Sequence, residues 1–281
     1  MRIKKLMNKV GIIQVRGIGD AIIALPIAEY YSNMPDVEVF FALDSRFTKS
    51  FQEAAPYCKF IPVPFERFRP ADGINNEYWY ELPKFLLHEA GCRDIISFPY
   101  HETHLINGIP EKDRKSLNCQ QLIDRLSGPL ESRITSLGLF NHLKFDEYKY
   151  ATAKVPFENK WKLNISRNLD RENALYASVV PDNGKKNVVC HLEGSDIKLN
   201  SGSFNFDREH YNIIDVTSDK TDNIFDWLTV FETADTIIVL DSVFCNLIEQ
   251  LNFTNNKFFI KRSSVFMTPV LKNNWNYVEI R

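Results

Sequence analysis

The sequence has no Cys-X-X-Cys pair, and its five cysteines (Cys58, Cys92, Cys119, Cys190 and Cys245) are scattered and odd in number. That argues against a disulfide framework and against a zinc ribbon. A reducing compartment fits, with most of these thiols expected as small buried hydrophobes. No run approaches the roughly 18 apolar residues of a membrane span, and the first residues carry no signal-peptide hydrophobic region. A cytoplasmic protein without stable membrane insertion is expected. Charge of one sign is also missing: 34 Lys and Arg stand against 36 Asp and Glu, a formal net charge of −2. No overall basic field draws the chain to nucleic acid, which leaves only a local basic face for that purpose. The longest basic cluster, MRIKK at the start, reads as a solvated tail. Neither an internal repeat of solenoid period nor a low-complexity tract is present.

What is present suits an ordinary globular protein. The 281 residues are 44% hydrophobic and 25% charged, enough for a sizeable core in one large or two modest domains. Strand and helix signals alternate along the first half. Apolar or β-branched runs predict strands at Val10–Val15, Val37–Leu43, Lys59–Val63 and Asp94–Phe98. Helices are expected at Ala21–Tyr31 (with Pro26 inside), Phe47–Ala55, Leu82–Ala90 and Ser116–Leu126. Residues from about Phe140 to Lys186 are polar and weakly periodic, and the domain junction is placed there, near Tyr150. Strands Asn187–His191, Tyr211–Val216, Thr236–Leu240 and Lys257–Ile260, with helices Ile224–Thr233 and Ser242–Leu251, form a second α/β run. This alternation predicts two domains with parallel sheets, residues 1–150 and 151–281.

Two turns stand out because each follows an apolar strand and opens a helix. In Arg16-Gly17-Ile18-Gly19-Asp20 the glycines allow a sharp turn and close approach of a ligand. The unpaired N–H groups of the next helix favour an anion. The third glycine of the dinucleotide fingerprint is absent, with Ile23 at that position, so a dehydrogenase is disfavoured. Asp20 reads either as a helix cap or as a general base at a sheet edge, and one residue can be both. The second turn is Asp241-Ser242. Backbone N–H groups of Ser242, Val243 and Phe244, with the Ser242 hydroxyl, would cradle a phosphate. Asp241 would then orient a sugar or an amine, or either residue simply caps the helix.

Three further stretches carry polar chemistry. The loop His191 to Lys198 contains Ser195 and places a lysine able to neutralise a departing diphosphate, or one that is merely solvated. His191 itself reads equally as a core histidine. Asp44 and Arg46 follow the second strand on the same sheet edge as Asp20. His101 and His104 have roughly zinc-like spacing but no cysteines nearby, and no metal is expected there.

These residues resemble a family. GIGDAIIALPIAEYY (17–31) is similar to the N-terminal motif of bacterial ADP-heptose:lipopolysaccharide heptosyltransferases, glycosyltransferase family 9. FALDSRF resembles that family's second strand, HLEGSDIK its loop after the first strand of the C-terminal domain, and TADTIIVLDSVFCNLIEQL its strand, Asp-Thr-Gly turn and helix. The matches keep their order over most of the chain. The resemblance implies a GT-B fold, two Rossmann-like domains facing across a cleft, and an inverting transferase that needs no metal. Its co-substrate would be a nucleotide-diphosphate sugar, with no other cofactor. Asp20 would be the base on the acceptor hydroxyl, with Gly17, Gly19, Asp44 and Arg46 on the acceptor side. Lys198 and Ser242 would hold the donor diphosphate together with Val243, Phe244, His191 and Ser195, and Asp241 would bind the donor sugar. Two departures stand in the motif: Val243 replaces the family's glycine and Asn246 its histidine. The expected acceptor is an envelope glycan. Hydroxymethylated cytosine in duplex DNA is the alternative, for which Phe65–Arg69 with Tyr78–Tyr80 offers a basic, aromatic strip. A non-catalytic nucleotide-sugar or glycan binding module is the remaining class.

Overall fold

The computed structural model of the chain describes residues 7–15, 17–64, 80–98, 144–194, 197–261 and 269–278. The chain divides into two compact units, Met1–Asn164 and Ile165–Arg281. In the first, strands β1 (Asn8–Ile13), β2 (Val37–Asp44), β3 (Lys59–Val63) and β4 (Asp94–Ser97) form one parallel sheet in the order β3-β2-β1-β4. Helices α1 (Ile18–Ser32), α2 (Thr48–Ala54), α3 (Leu82–Glu89) and α4 (Phe145–Ala153) belong to the same unit. A 3-10 turn at Phe157–Trp161 follows.

The second unit repeats the scheme. Strands β5 (Lys186–His191), β6 (Tyr211–Asp215), β7 (Thr236–Leu240), β8 (Asn256–Ile260) and β9 (Trp275–Val278) pair in parallel in the order β6-β5-β7-β8-β9. Its helices are α5 (Leu169–Val179), α6 (Leu228–Glu232) and α7 (Val243–Gln250). Both units therefore have the Rossmann-like α/β architecture that the alternation predicts.

Helix α1 explains why the first unit needs α4. Every residue from Ala21 to Ala28 is buried, and a helix apolar all round must be covered on more than one side. Each of Ile22, Ile23, Leu25 and Ile27, none of them exposed, contributes about 1.5–3 kcal/mol by burial. The sheet covers one side, and α4 with the 3-10 turn covers another. Pro26 removes the N–H that would serve Ile22. In the same stretch the Tyr150 hydroxyl donates to Ile23 O at 3.1 Å, and the Tyr31 hydroxyl donates to Ala153 O at 2.6 Å. Tyr150 is thus inside the first unit, which runs on to Asn164 rather than ending at the expected junction near Tyr150.

Further differences from expectation have local causes. The first strand stops at Ile13, because Gln14 N–H makes a last bond to Ala42 O and the chain then turns. Ile224–Thr233 is not one helix but a 3-10 turn (Ile224–Trp227) followed by α6. The polar, weakly periodic stretch from about Phe140 to Lys186 holds α4 and α5. Helix α5 docks through charge: Arg167 makes a two-pronged bond to buried Glu172, and Arg171 binds buried Asp226. Such a helix has no apolar stripe for a periodicity to reveal. Four cysteines (Cys58, Cys92, Cys190 and Cys245) are free and buried. The expected helix Ser116–Leu126, Cys119, the His101/His104 pair and the strip of Phe65–Arg69 with Tyr78 and Trp79 lie outside the described residues. Among the described residues, no helix is long and apolar enough to cross a membrane.

Candidate functional site

In each sheet the strand order reverses once. Strand β1 leads to β2 and β3 on one flank while β4 returns to the other, and β5 leads to β6 while β7 returns. Open α/β sheets bind ligands beyond the carboxyl ends of their strands at such a reversal. The polar residues of this chain gather at both reversals.

In the first unit the reversal is flanked by Gln14, just after β1, and Phe98, just after β4. Gly17 forms the N-cap of α1 with φ +75°, a conformation that favours glycine. A Cβ there would lie 2.3 Å from Asp20 Oδ2, so the carboxylate folds back directly over the glycine. Asp20 is therefore not the cap. It sits in the first turn of α1, beside Gly19, where the helix dipole favours an anion. Lys149 of α4 reaches the same place: its Nζ lies 3.1 Å from Asp20 Oδ1 and donates to Gln14 Oε1 at 2.7 Å. The ammonium also lies 5.1 Å from the centre of the Phe98 ring. Lys149 is 7% exposed and Asp20 28%.

On the same edge, Asp44 ends β2 and is buried. Its carboxylate takes a two-pronged bond from Arg46, at 3.0 Å to Oδ1 and 2.6 Å to Oδ2, and accepts the Arg46 backbone N–H. Asp44 thus shapes its own turn, and Arg46, half exposed, is the residue it presents.

In the second unit His191 ends β5 and Ser242 follows β7, so the two face each other across the reversal. His191 Nδ1 lies 2.9 Å from Ser242 Oγ. Ser242 occupies the N-cap of α7 without capping it through its side chain. Its hydroxyl is held by the imidazole instead, which leaves the first N–H groups of the helix, from Val243 on, for another acceptor. Phe244 packs edge-on against His191, ring centres 4.6 Å apart, and against Phe231. Its side chain belongs to the core, and only its backbone can serve a ligand. Asp241 is buried at the end of β7, its N–H bonded to Ile260 O. Asn246 is buried one turn into α7 and donates back to Ser242 O at 3.3 Å. Lys198 is 73% exposed and paired with Glu193 at 2.9 Å. Such an exposed pair contributes little to stability and is readily exchanged for another anion. Ser195 lies outside the described residues. Among the described residues, no group of three or more His, Cys, Asp or Glu side chains could hold a metal ion.

Burial pushes the His191 imidazole down to about 4. The ring is neutral at neutral pH, and the unfolded chain binds its proton first. Stability from this residue is complete above about pH 6.5 and falls as the pH drops toward 4. A urea titration at several pH values checks this. The wild type is expected to lose stability over that window relative to His191→Gln, and parallel curves would refute the linkage.

Sequence reasoning missed Lys149, Gln14 and Phe98. The signals were present: a glutamine closing an apolar strand, and a lysine set between tyrosines and alanines in YKYATA.

No protein-family model matches the sequence, and no curated protein does. Solved structures do match. A glycosyl transferase family 9 structure from Veillonella parvula DSM 2008 superposes with a TM-score of 0.58 at 13% identity, covering 98% of this chain and 87% of that one. The ADP-heptose LPS heptosyltransferase II of E. coli gives a TM-score of 0.53 at 9% identity, covering 97% and 90%. At these identities the likeness is one of fold: this chain has the paired Rossmann-like α/β architecture of those glycosyltransferase structures.

Proposed function

We propose that the protein is a glycosyltransferase that moves a sugar from a nucleotide-diphosphate sugar to an acceptor hydroxyl with inversion. The observation that carries this reading is Asp20, a partly exposed carboxylate lying over a glycine turn at the strand reversal of the first sheet. The fold shared with the glycosyltransferase structures supports it, and so does the uncapped head of α7.

Asp20 takes the proton of the acceptor hydroxyl as that oxygen attacks the anomeric carbon. The bond from that carbon to the diphosphate oxygen breaks in the same displacement, and the nucleoside diphosphate leaves with the electron pair. Backbone N–H groups at the start of α7, the Ser242 hydroxyl and Lys198 meet the charge of the leaving group without a metal. Asp241 orients the donor sugar. Gly17, Gly19 and Arg46 line the acceptor side, and an envelope glycan is the acceptor class this reading favours.

A thermal-shift panel of ADP, UDP, GDP and CDP, each with its common sugar conjugates, tests the donor site. A ligand at about 100 times its dissociation constant stabilises the folded state by about 2.7 kcal/mol. One nucleotide series is expected to raise the melting temperature clearly. Release of that nucleotide from its sugar conjugate is then followed with truncated lipooligosaccharide and with hydroxymethylated duplex DNA. No shift with any nucleotide counts against the reading. A shift without release on any acceptor leaves a binding module.

A further inference from the structure

We propose that Lys149 is the positioning residue of the Asp20 carboxylate. The inference rests on the glycosyltransferase reading for its kinetics, but its geometry stands alone.

An ammonium has three N–H donors. Lys149 donates one to Gln14 Oε1, its Nζ lies 3.1 Å from Asp20 Oδ1, and its charge lies over the face of Phe98. Gln14 and Phe98 come from the two strands that flank the reversal, so the cation is fixed against the sheet before it meets Asp20. Anchored on Gln14, paired with Asp20 and only 7% exposed, Lys149 is set to hold the carboxylate rather than to bind substrate. Binding Oδ1 orients the group so that Oδ2 lies over Gly17, and Oδ2 is the oxygen that receives the acceptor proton. A carboxylate free to rotate in a first helical turn would spend much of its time elsewhere. A misplacement of about 1 Å can cost about 100-fold in rate. The pairing also accounts for the lysine, because a cation this deeply buried needs a fixed counter-charge.

The test pairs Lys149→Met, which keeps the length of the side chain, with Gln14→Leu, which removes the oxygen that accepts from the ammonium. In the full-length protein, Lys149→Met is expected to lower kcat by about 10- to 100-fold, with KM for the sugar donor changed less than about threefold. Gln14→Leu should do the same to a smaller extent. In an Asp20→Asn background neither substitution should lower kcat further, because residues acting through one group are not additive. Equal losses in both backgrounds, or an unchanged kcat in Lys149→Met, would overturn the assignment. Crystal structures provide a readout free of turnover. The Asp20 carboxylate is expected to leave its place over Gly17 in Lys149→Met, or in Gln14→Leu should Lys149→Met not fold. An unmoved carboxylate refutes the positioning role whatever reaction the protein performs. A wild type that transfers no sugar refutes only the glycosyltransferase reading.

Discussion

Replacing Asp20 by asparagine is expected to lower turnover by about 10²- to 10⁴-fold while affinity for the nucleotide sugar stays within about twofold. Asparagine keeps the size of the side chain and one acceptor oxygen for Lys149, so the turn over Gly17 should survive. What it loses is the capacity to take a proton. The residues assigned to the diphosphate belong to the other sheet, at the head of α7. Initial rates give the first quantity and calorimetric titration of the donor the second. A variant that turns over at the wild-type rate removes Asp20 from the mechanism. One that loses donor binding and turnover together would place Asp20 in the donor site instead.

The second large effect is on stability. Lys160 and Asp146 form an ion pair of 2.6 Å in which neither side chain is exposed. The ammonium also lies 5.8 Å from the Phe157 ring centre and 5.4 Å from that of Trp161. Removing one partner strands the other charge away from water. Asp146→Leu and Lys160→Met are each expected to destabilise the first unit by about 3–5 kcal/mol. Changing both residues to apolar ones of similar size should cost much less than either single change, because no orphan charge remains. Urea unfolding of the four proteins measures the cycle. Single changes costing under about 1 kcal/mol would mean that water reaches the pair. Asp146 lies on the same helix as Lys149, so a loosened pair should also blunt turnover.

The elements that were legible in the sequence share one property: most of their buried residues are apolar. The runs VEVFFAL and TIIVL are dominated by β-branched, aromatic and other apolar residues, each is followed by an aspartate, and the structure places β2 and β7 there. Where burial is achieved by charge, the sequence was opaque. Asp146, Lys149 and Lys160 look like solvated residues, and each is buried because a partner from elsewhere in the fold neutralises or binds it. The same holds for Glu172 beneath Arg167. Strand β9 was missed for another reason. Its Asn276 and Tyr277 are exposed, so only the two ends of the strand, Trp275, whose indole N–H donates to Glu249, and Val278, turn to the core. At the candidate site the turn residues Gly17, Asp20 and Ser242 were readable because turn chemistry is local. The His191–Ser242 contact was not, since it depends on which strands become neighbours. Nor was the change of Ser242 from cap to imidazole partner.

The ties from α4 to α1 and to the end of β1 span long stretches of chain: Gln14 to Lys149, Ile23 to Tyr150 and Tyr31 to Ala153 are 135, 127 and 122 residues apart. During synthesis the chain is made from its N-terminus at about 5–20 residues per second. Asp20 and the glycine turn emerge before the lysine that steadies them, which follows several seconds later. A nascent chain ending before Phe145 has the carboxylate but lacks its counter-charge and the tyrosine at the proline-broken turn of α1. The apolar stretch Ala21–Ala28 of α1 stays uncovered on that side for the same interval. Early termination therefore leaves a sticky, inactive fragment rather than a working half, and the acid–base group is completed only when the last helix of its own unit docks.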